Sequence, residues 1–289
     1  MFHLKDEIAY FLTSHGFEIM FQVCDCFDVI AVNVNDSVRY ILPYPIDAGT
    51  EEDAKLVQLR CSESIGSLRS DYLMIITEDR WERQKKMTQE RLLAHLEVFG
   101  QIYARNCEIR KIDKATAKEF LDQNHSYGDA ACRYRYGMFL KRHTGHCLDD
   151  EDRIQTGTLV AVATFSNARK WQKGEKVIKS YEWTRYASLP NLRLSGGMGR
   201  MLKHFIEEVQ PDDIMSYADL EWSEGAVYQT LGFTLEGTKD PVMFRIGPDW
   251  RRFPVKPVMT DDEMDSDAGN LYYRNLGSKK YRLKLTDYE

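Results

Sequence analysis

The sequence predicts an α/β (α+β) protein, with a mixed central sheet flanked by helices and a smaller α/β domain before it. Three observations support that class. Stretches with apolar residues at helical spacing interleave with short runs rich in β-branched and aromatic residues. The order of these stretches changes near residue 100, from strands grouped together to strands alternating with helices. The chain's 289 residues, 43% of them hydrophobic, suffice for two ordinary cores.

Residues 4–14, LKDEIAYFLTS, read as an amphipathic helix that the following HGF breaks. FEIMFQV, FDVIAVNV and SVRYILPY, separated by turn-forming Asp, Asn and Cys, read as a three-stranded antiparallel set. A short helix over 55–64 comes next, then the continuous apolar run DYLMIIT (71–77), a buried strand. RWERQKKMTQERLLAHLEVFG is one charged amphipathic helix that Gly100 stops. Beyond it CEIRKI is a strand, and DKATAKEFLDQ is a helix with Asp113 as its N-cap. NHSYG is a loop, YRYGMFLKR a strand, and HTGHCLDDEDRIQTG an acidic, exposed excursion. TLVAVATFS and VIKSYEWTRYA are strands joined through the basic turn NARKWQKGEK. RLSGGMGRMLKHF supplies a glycine-rich turn and a helix, DIMSYADL a strand, SEGAVYQTL a helix, and GFTLEG and VMFRI further strands. An acidic linker, MTDDEMDSDAGN, precedes a short basic hairpin, LYYRNLGSKKYRLKL. The domains are therefore expected at 1–100 and 101–250, with a C-terminal extension over 251–289.

Composition narrows the function classes. No run approaches about 20 apolar residues, so no membrane-spanning helix is expected. The N-terminus places acids within its apolar pattern, unlike a secretory signal. The six cysteines lack framework spacing and read as reduced thiols of a cytoplasmic protein. A formal charge of −6 gives no global attraction to nucleic acid. Nucleic acid is a possible partner only through a local basic face. NARKWQKGEK and RNLGSKKYRLK interleave Arg and Lys with Trp and Tyr as such faces do, and solvated turns have the same composition. Cys132, His143, His146 and Cys147 have the right side chains for zinc, but their spacing matches no finger, and no metal is expected.

The strongest chemical signal is the glycine cluster. A strand ending in a Gly-rich turn that opens a helix aims several backbone N–H groups at one point, with the positive end of the helix dipole behind them. Glycines let a phosphate approach the backbone and permit positive φ. There is no Gly-Lys-Ser/Thr ending, so this is no P-loop, and no dinucleotide fingerprint follows a first strand. A nucleotide or the pyrophosphate of coenzyme A fits such a turn, as does a tight strand–helix connection with no ligand.

Further along comes YQTLGF, Tyr228 to Phe233, closing a helix and entering a strand. This order of strand, Gly-x-Gly turn, helix, strand, helix with Tyr-x-x-x-Gly-Phe and strand resembles the GNAT superfamily of acyl-CoA-dependent N-acyltransferases over residues 105–247. The resemblance implies that the strand 178–186 splays to admit the cofactor. It also implies that Gly197, Met198, Gly199 and Arg200, with Gly196 adjoining, bind the pyrophosphate of acetyl-CoA or another acyl-CoA. The family carries a Gln or Arg three residues before the first glycine: counted to Gly196 that position is Arg193, with Met198 then at the second glycine position, and counted to Gly197 it is Leu194. Tyr228 matches the proton donor to the leaving thiolate, with packing beneath the cofactor as its other reading. Glu182 is the first candidate general base and Asp219 the alternative. His125 lies in the loop that lines the acceptor cleft in the family. IYARNCEIRKIDKATAKEFLDQNH, VATFSNAR, YEWTRYAS, SGGMGRMLKHF and SYADLEWSEGAVYQTLGF are similar, more narrowly and over about residues 75–247, to a GNAT-like domain of phage and mobile-element proteins. That domain is distantly reminiscent of phage Mom-type DNA-modifying proteins and often trails a small nuclease-like domain.

The N-terminal hundred residues fit the outline of a restriction- or Vsr-like nuclease domain. Asp28 is well placed in FDVIAVNV, but no Glu-x-Lys succeeds it to complete a Mg²⁺ site, so a degenerate, inactive domain or an interaction domain is expected. The expected function is transfer of an acetyl group from acetyl-CoA to an unknown amine acceptor by direct attack in a ternary complex, since no nucleophilic cysteine stands out. The alternative is a mobile-element-derived nucleic-acid-binding or DNA-modifying protein of the same fold without acetyl transfer.

Overall fold

A computed structural model describes residues 3–67, 73–142, 154–223, 225–255 and 271–288. It is a mixed α/β protein with several sheets flanked by helices, as expected. The chain forms two compact units. The first comprises Met1–Leu96, Ala218–Gly225 and Thr238–Lys279, and the second Glu97–Tyr217, Ala226–Gly237 and Lys280–Glu289. The chain thus passes between units several times, whereas the sequence predicts single boundaries near residues 100 and 250.

In the first unit, α1 (Leu4–Ser14) is followed by β1 (Ile19–Cys24), β2 (Phe27–Val34) and β3 (Ser37–Tyr44). These strands are antiparallel neighbours in sequence, and β4 (Leu73–Thr77) adds to β3 in parallel after α2 (Glu51–Ser67). Parallel pairing needs a crossover, and α2, longer than the helix expected over 55–64, provides it. Leu4, Ile8 and Leu12 of α1 pack on Ile30, Val32, Ile41, Met74 and Ile76, the set on one face of the sheet. The charged helix is divided into α3 (Glu78–Arg83) and α4 (Lys85–His95) at Gln84 (φ −121°, ψ 35°). The break lets α3 bury Asp79, Arg80 and Trp81, while Thr88 of α4 donates to the Arg80 carbonyl at 3.2 Å.

The second unit begins with β5 (Gly100–Tyr103), β6 (Cys107–Lys111) and α5 (Lys114–Asn124), capped by the Asp113 carboxylate on the Thr116 amide at 2.8 Å. Next are β7 (Tyr134–Leu140), β8 (Leu159–Phe165), β9 (Arg169–Lys173) and β10 (Lys176–Ser188). The basic turn is thus a β-hairpin, with β9 paired to β10. β11 (Leu192–Ser195), α6 (Gly197–Val209), β12 (Asp213–Asp219), α7 (Ala226–Thr230) and β13 (Thr234–Lys239) complete the run.

The C-terminal part differs from expectation. β14 (Met243–Ile246) forms a three-stranded sheet in the first unit with β15 (Arg252–Pro254) and β16 (Leu271–Arg274). The expected basic hairpin is therefore two separate strands, because β17 (Ser278–Lys284) inserts between β12 and β13 in the order β13-β17-β12-β10-β8-β7-β6. Arg282 supplies the reason: it reaches Asp213 of β12 at 2.7 Å on one side and Glu236 of β13 at 2.7 Å on the other. The acidic linker and most of the acidic excursion lie outside the described residues. Among those described, no helix is long and apolar enough to cross a membrane.

α6 is anchored by one face. Gly197, Met201, Leu202 and Phe205 are buried, and the Phe205 ring stacks on Phe165 of β8 at 3.8 Å. That contact holds the second half of α6 against β8, while at the helix head Gly197 lies beside Tyr186 of β10.

Candidate functional site

Strands β10 and β12 run parallel and pair over three residues: Ser180 with Asp213, Tyr181 with Ile214, and Glu182 with Met215. Pairing stops there, although both strands continue. The register between β10 and β8 also shifts between Trp183 and Arg185, which makes Thr184 the extra residue of a bulge. A bulge twists its strand locally, and the ladder between the two central strands has already ended two residues before it, at Glu182.

The head of α6 lies against this parting. Gly196 is the N-cap with φ +77°, a left-handed conformation that a side chain there would strain. At Gly197 a Cβ would come within 2.6 Å of the Tyr186 hydroxyl and 2.7 Å of the Leu194 side chain. This glycine therefore serves packing: it lets β10 and α6 approach. At Gly199 a Cβ would stand 3.3 Å from the side chain of Leu231, just past α7. The N–H groups of Gly197, Met198 and Gly199 find no acceptor among the described residues, and no side chain caps the helix. The Arg200 amide is already in the helix ladder, bonded to the Gly196 carbonyl at 3.1 Å. Its guanidinium turns back to the carbonyls of Ala104 and, at 2.8 Å, Cys107. Arg193 points outward on β11, its guanidinium over the Phe99 ring at 5.3 Å. The structure therefore gathers Gly196, Gly197, Met198 and Gly199 at one point and assigns the side chains of Arg193 and Arg200 to neighbouring contacts.

Tyr228 is half-buried on α7, stacked on Tyr281 at 5.2 Å and edge-on to Trp183 at 6.5 Å. Its hydroxyl lies 2.9 Å from the Ser216 hydroxyl and 3.4 Å from the Tyr217 carbonyl. Burial pushes the phenol above its ordinary range, with Ser216 pulling it partly back. A neutral phenol is thus present at the place where β12 leaves β10.

Glu182 is half-buried on β10, at the last paired position. Its carboxylate makes no hydrogen bond or ion pair among the described residues. Arg185 instead donates to the carbonyls of Gly128 at 3.0 Å and Thr184 at 2.8 Å. His125 ends α5, and its Nδ1 accepts the Tyr127 amide at 3.1 Å, which places the proton of the neutral ring on Nε2.

Asp219 stands elsewhere, in a buried charge network of the first unit. Its carboxylate accepts from Arg80 at 3.2 Å and from the Glu221 amide at 3.0 Å. Glu221, with a side-chain exposure of 0%, pairs with Arg80 at 2.8 Å and Arg252 at 3.2 Å and accepts from Tyr273 at 2.7 Å. Arg252 also binds Asp79 at 2.6 Å. Burial alone would raise all three carboxyls. Arg252 overcomes it at Asp79 and, with Arg80, at Glu221, so both lie below the ordinary range. Asp219 stays raised, through burial and then the charge of Glu221.

No group of three or more metal-ligating side chains occurs among the described residues. Asp28 is surface-exposed and paired with Lys5 at 2.8 Å. Cys132 is half-buried, and His143, His146 and Cys147 lie outside the described residues. Sequence reasoning missed Ser216, whose only signal is a lone hydroxyl in the apolar strand DIMSYADL, and Tyr186, which looks like any strand aromatic.

No family model and no curated protein matches this chain. Solved structures with partial similarity include a GNAT-family acetyltransferase from Bacillus anthracis, 14% identical, covering 62% of this chain and 95% of that one with a TM-score of 0.31. Histone acetyltransferase HPA2 and related acetyltransferase from Corynebacterium glutamicum is 15% identical, covering 62% and 80% with a TM-score of 0.29. A variant of the AtaT toxin, bound to the C-terminus of the antitoxin AtaR and acetyl-CoA, is 12% identical, covering 58% and 93% with a TM-score of 0.27. Likeness at this level assigns no activity, so function has to rest on the chain's own geometry.

Proposed function

We propose that the second unit is an acyl-CoA-dependent N-acyltransferase that moves an acetyl group to an amine. The supporting observation is a run of amides at Gly197, Met198 and Gly199 with no acceptor among the described residues, set against a parallel strand pair whose pairing ends after Glu182 and Met215. Three N–H donors at a helix head suit a diphosphate, and a gap between parallel strands suits an extended pantetheine-like arm. Acetyl-CoA supplies the activated acyl group as a thioester. The protein's part is to hold the diphosphate on the α6 amides, keep the acceptor nitrogen neutral and return a proton to the departing sulfur. Glu182, with no hydrogen bond or ion pair of its carboxylate among the described residues, is the base for the acceptor. Tyr228, kept neutral by burial, is the acid for the sulfur. His125 borders the acceptor side as a donor through Nε2. Asp219 is committed to its ion pair and takes no part.

Titration calorimetry of the full chain with acetyl-CoA tests this reading. Saturable binding to one site is expected, weakened by Gly199→Val, whose branched side chain meets Leu231 at the head of α6. Absence of heat and of thermal stabilisation at millimolar acetyl-CoA overturns it.

A further inference from the structure

Ser216 occupies the first position of β12 beyond the last residue paired with β10. It is 2% exposed. Its hydroxyl lies 3.0 Å from the Trp183 carbonyl and 2.9 Å from the Tyr228 hydroxyl. In an uninterrupted parallel pair the Trp183 carbonyl would accept a backbone amide of β12. Because the strands part here, the serine hydroxyl takes that place. A hydroxyl has one proton and two lone pairs. At rest the Tyr228 phenol donates to the Tyr217 carbonyl at 3.4 Å, and the single Ser216 proton has two acceptors in reach, the Trp183 carbonyl and the Tyr228 oxygen. Should Tyr228 lose its proton, the same serine can turn its proton to the phenolate, the nearest strong acceptor. The Tyr217 carbonyl, also within reach of that oxygen, is itself an acceptor and cannot stabilise a phenolate.

We propose that Ser216 is the positioning residue of Tyr228: it orients the phenol at the strand parting and, by turning its single proton from the Trp183 carbonyl to the phenolate, supports proton delivery to a leaving sulfur. This rests on the acyltransferase reading. The acceptor nitrogen bonds to the acyl carbon and the carbon–sulfur bond breaks, its electron pair remaining on sulfur. Sulfur takes the Tyr228 proton while Ser216 swings to the phenolate. The proton given up by the acceptor nitrogen restores the phenol through solvent, and Ser216 returns to the carbonyl. The products are an amide and a free thiol, with no oxidant or further reactant.

The test is a titration of the phenol itself. A fluorinated tyrosine, which ionises near neutral pH, is placed at position 228 of the full chain, and its ¹⁹F resonance is followed against pH. Ser216→Ala removes the donor and is expected to raise the phenol pKa by about one unit, a tenfold loss of phenolate stability. Ser216→Cys keeps the volume with a weaker donor, guards against a fold defect in the alanine variant, and is expected to shift it in the same direction by less. An unmoved titration in folded Ser216→Ala or Ser216→Cys protein overturns the role of Ser216. Calorimetry with acetyl-CoA on the same samples separates the two ideas. Missing affinity in the parent chain defeats the acyltransferase reading, whereas a titration insensitive to Ser216 defeats this one.

Discussion

The charge network of the first unit and the head of α6 in the second handle polar groups in opposite ways. The first buries full charges at Asp79, Arg80, Glu221 and Arg252 and gives each a partner of opposite sign. The second keeps neutral donors at the head of α6 and leaves three of them without an acceptor among the described residues. A buried charge without a partner costs several kcal/mol, so charges that persist in a core are paired and structural. Backbone N–H groups at a helix head cost far less to leave open to solvent, so a protein can keep them ready for a ligand. Asp219 illustrates the difference. As a carboxylate beside a strand end it has the chemistry of a base, yet its contacts place it with the first group.

Removing charge from the network should have the largest effect. Glu221→Ala leaves Arg80 and Arg252 short of a partner and is expected to cost about 3–5 kcal/mol in urea unfolding. A loss below about 1 kcal/mol would break the comparison. At the other centre, Tyr228→Phe should lower the acetyl-transfer rate about 10²-fold while acetyl-CoA affinity in calorimetry stays within about twofold. Equal loss of affinity would make the ring a packing element only. Gly197→Ala pushes a methyl group into the Tyr186 hydroxyl and Leu194, at 2.6 and 2.7 Å, and should cost about 1–3 kcal/mol in thermal or urea unfolding.

Acid should expose the asymmetry within the network. Asp79 and Glu221 have folded pKa values below their unfolded ones, so the stability they contribute is complete above about pH 4.5 and disappears as pH falls through the folded values. Asp219 has a raised folded pKa, so its ionisation opposes folding near neutrality and protonation relieves that cost. The urea midpoint should therefore fall below about pH 4, less steeply in Glu221→Gln than in the parent chain. Asp219→Asn, the smallest change, should alter stability at pH 7 by about 1 kcal/mol or less and leave acetyl transfer within about twofold. A large loss of transfer with the fold intact would return Asp219 to the reacting site.

Much of the frame was legible along the chain. The α1 pattern, the antiparallel set β1 to β3, the Asp113 cap and the glycine turn before α6 are local, set by spacing, propensity and backbone freedom within a few residues. The C-terminal segments were not, because whether residues 278–284 make a hairpin or enter a distant sheet depends on Arg282 meeting Asp213 and Glu236. The division of the charged helix at Gln84 was equally hidden: periodicity continues across it, and burial of Asp79 and Arg80 depends on Arg252 and Glu221, far along the chain.

The sequence alone determined the class of fold, the strand-turn-helix around Gly196 and the residue types able to hold a diphosphate and move a proton, because these arise from interactions between near neighbours. Tertiary structure decided which of them stand together. It packed Gly197 against Tyr186, set Ser216 beside Tyr228 and drew Asp219 into a salt-bridge network, since non-local pairing and burial choose the partner of each polar group.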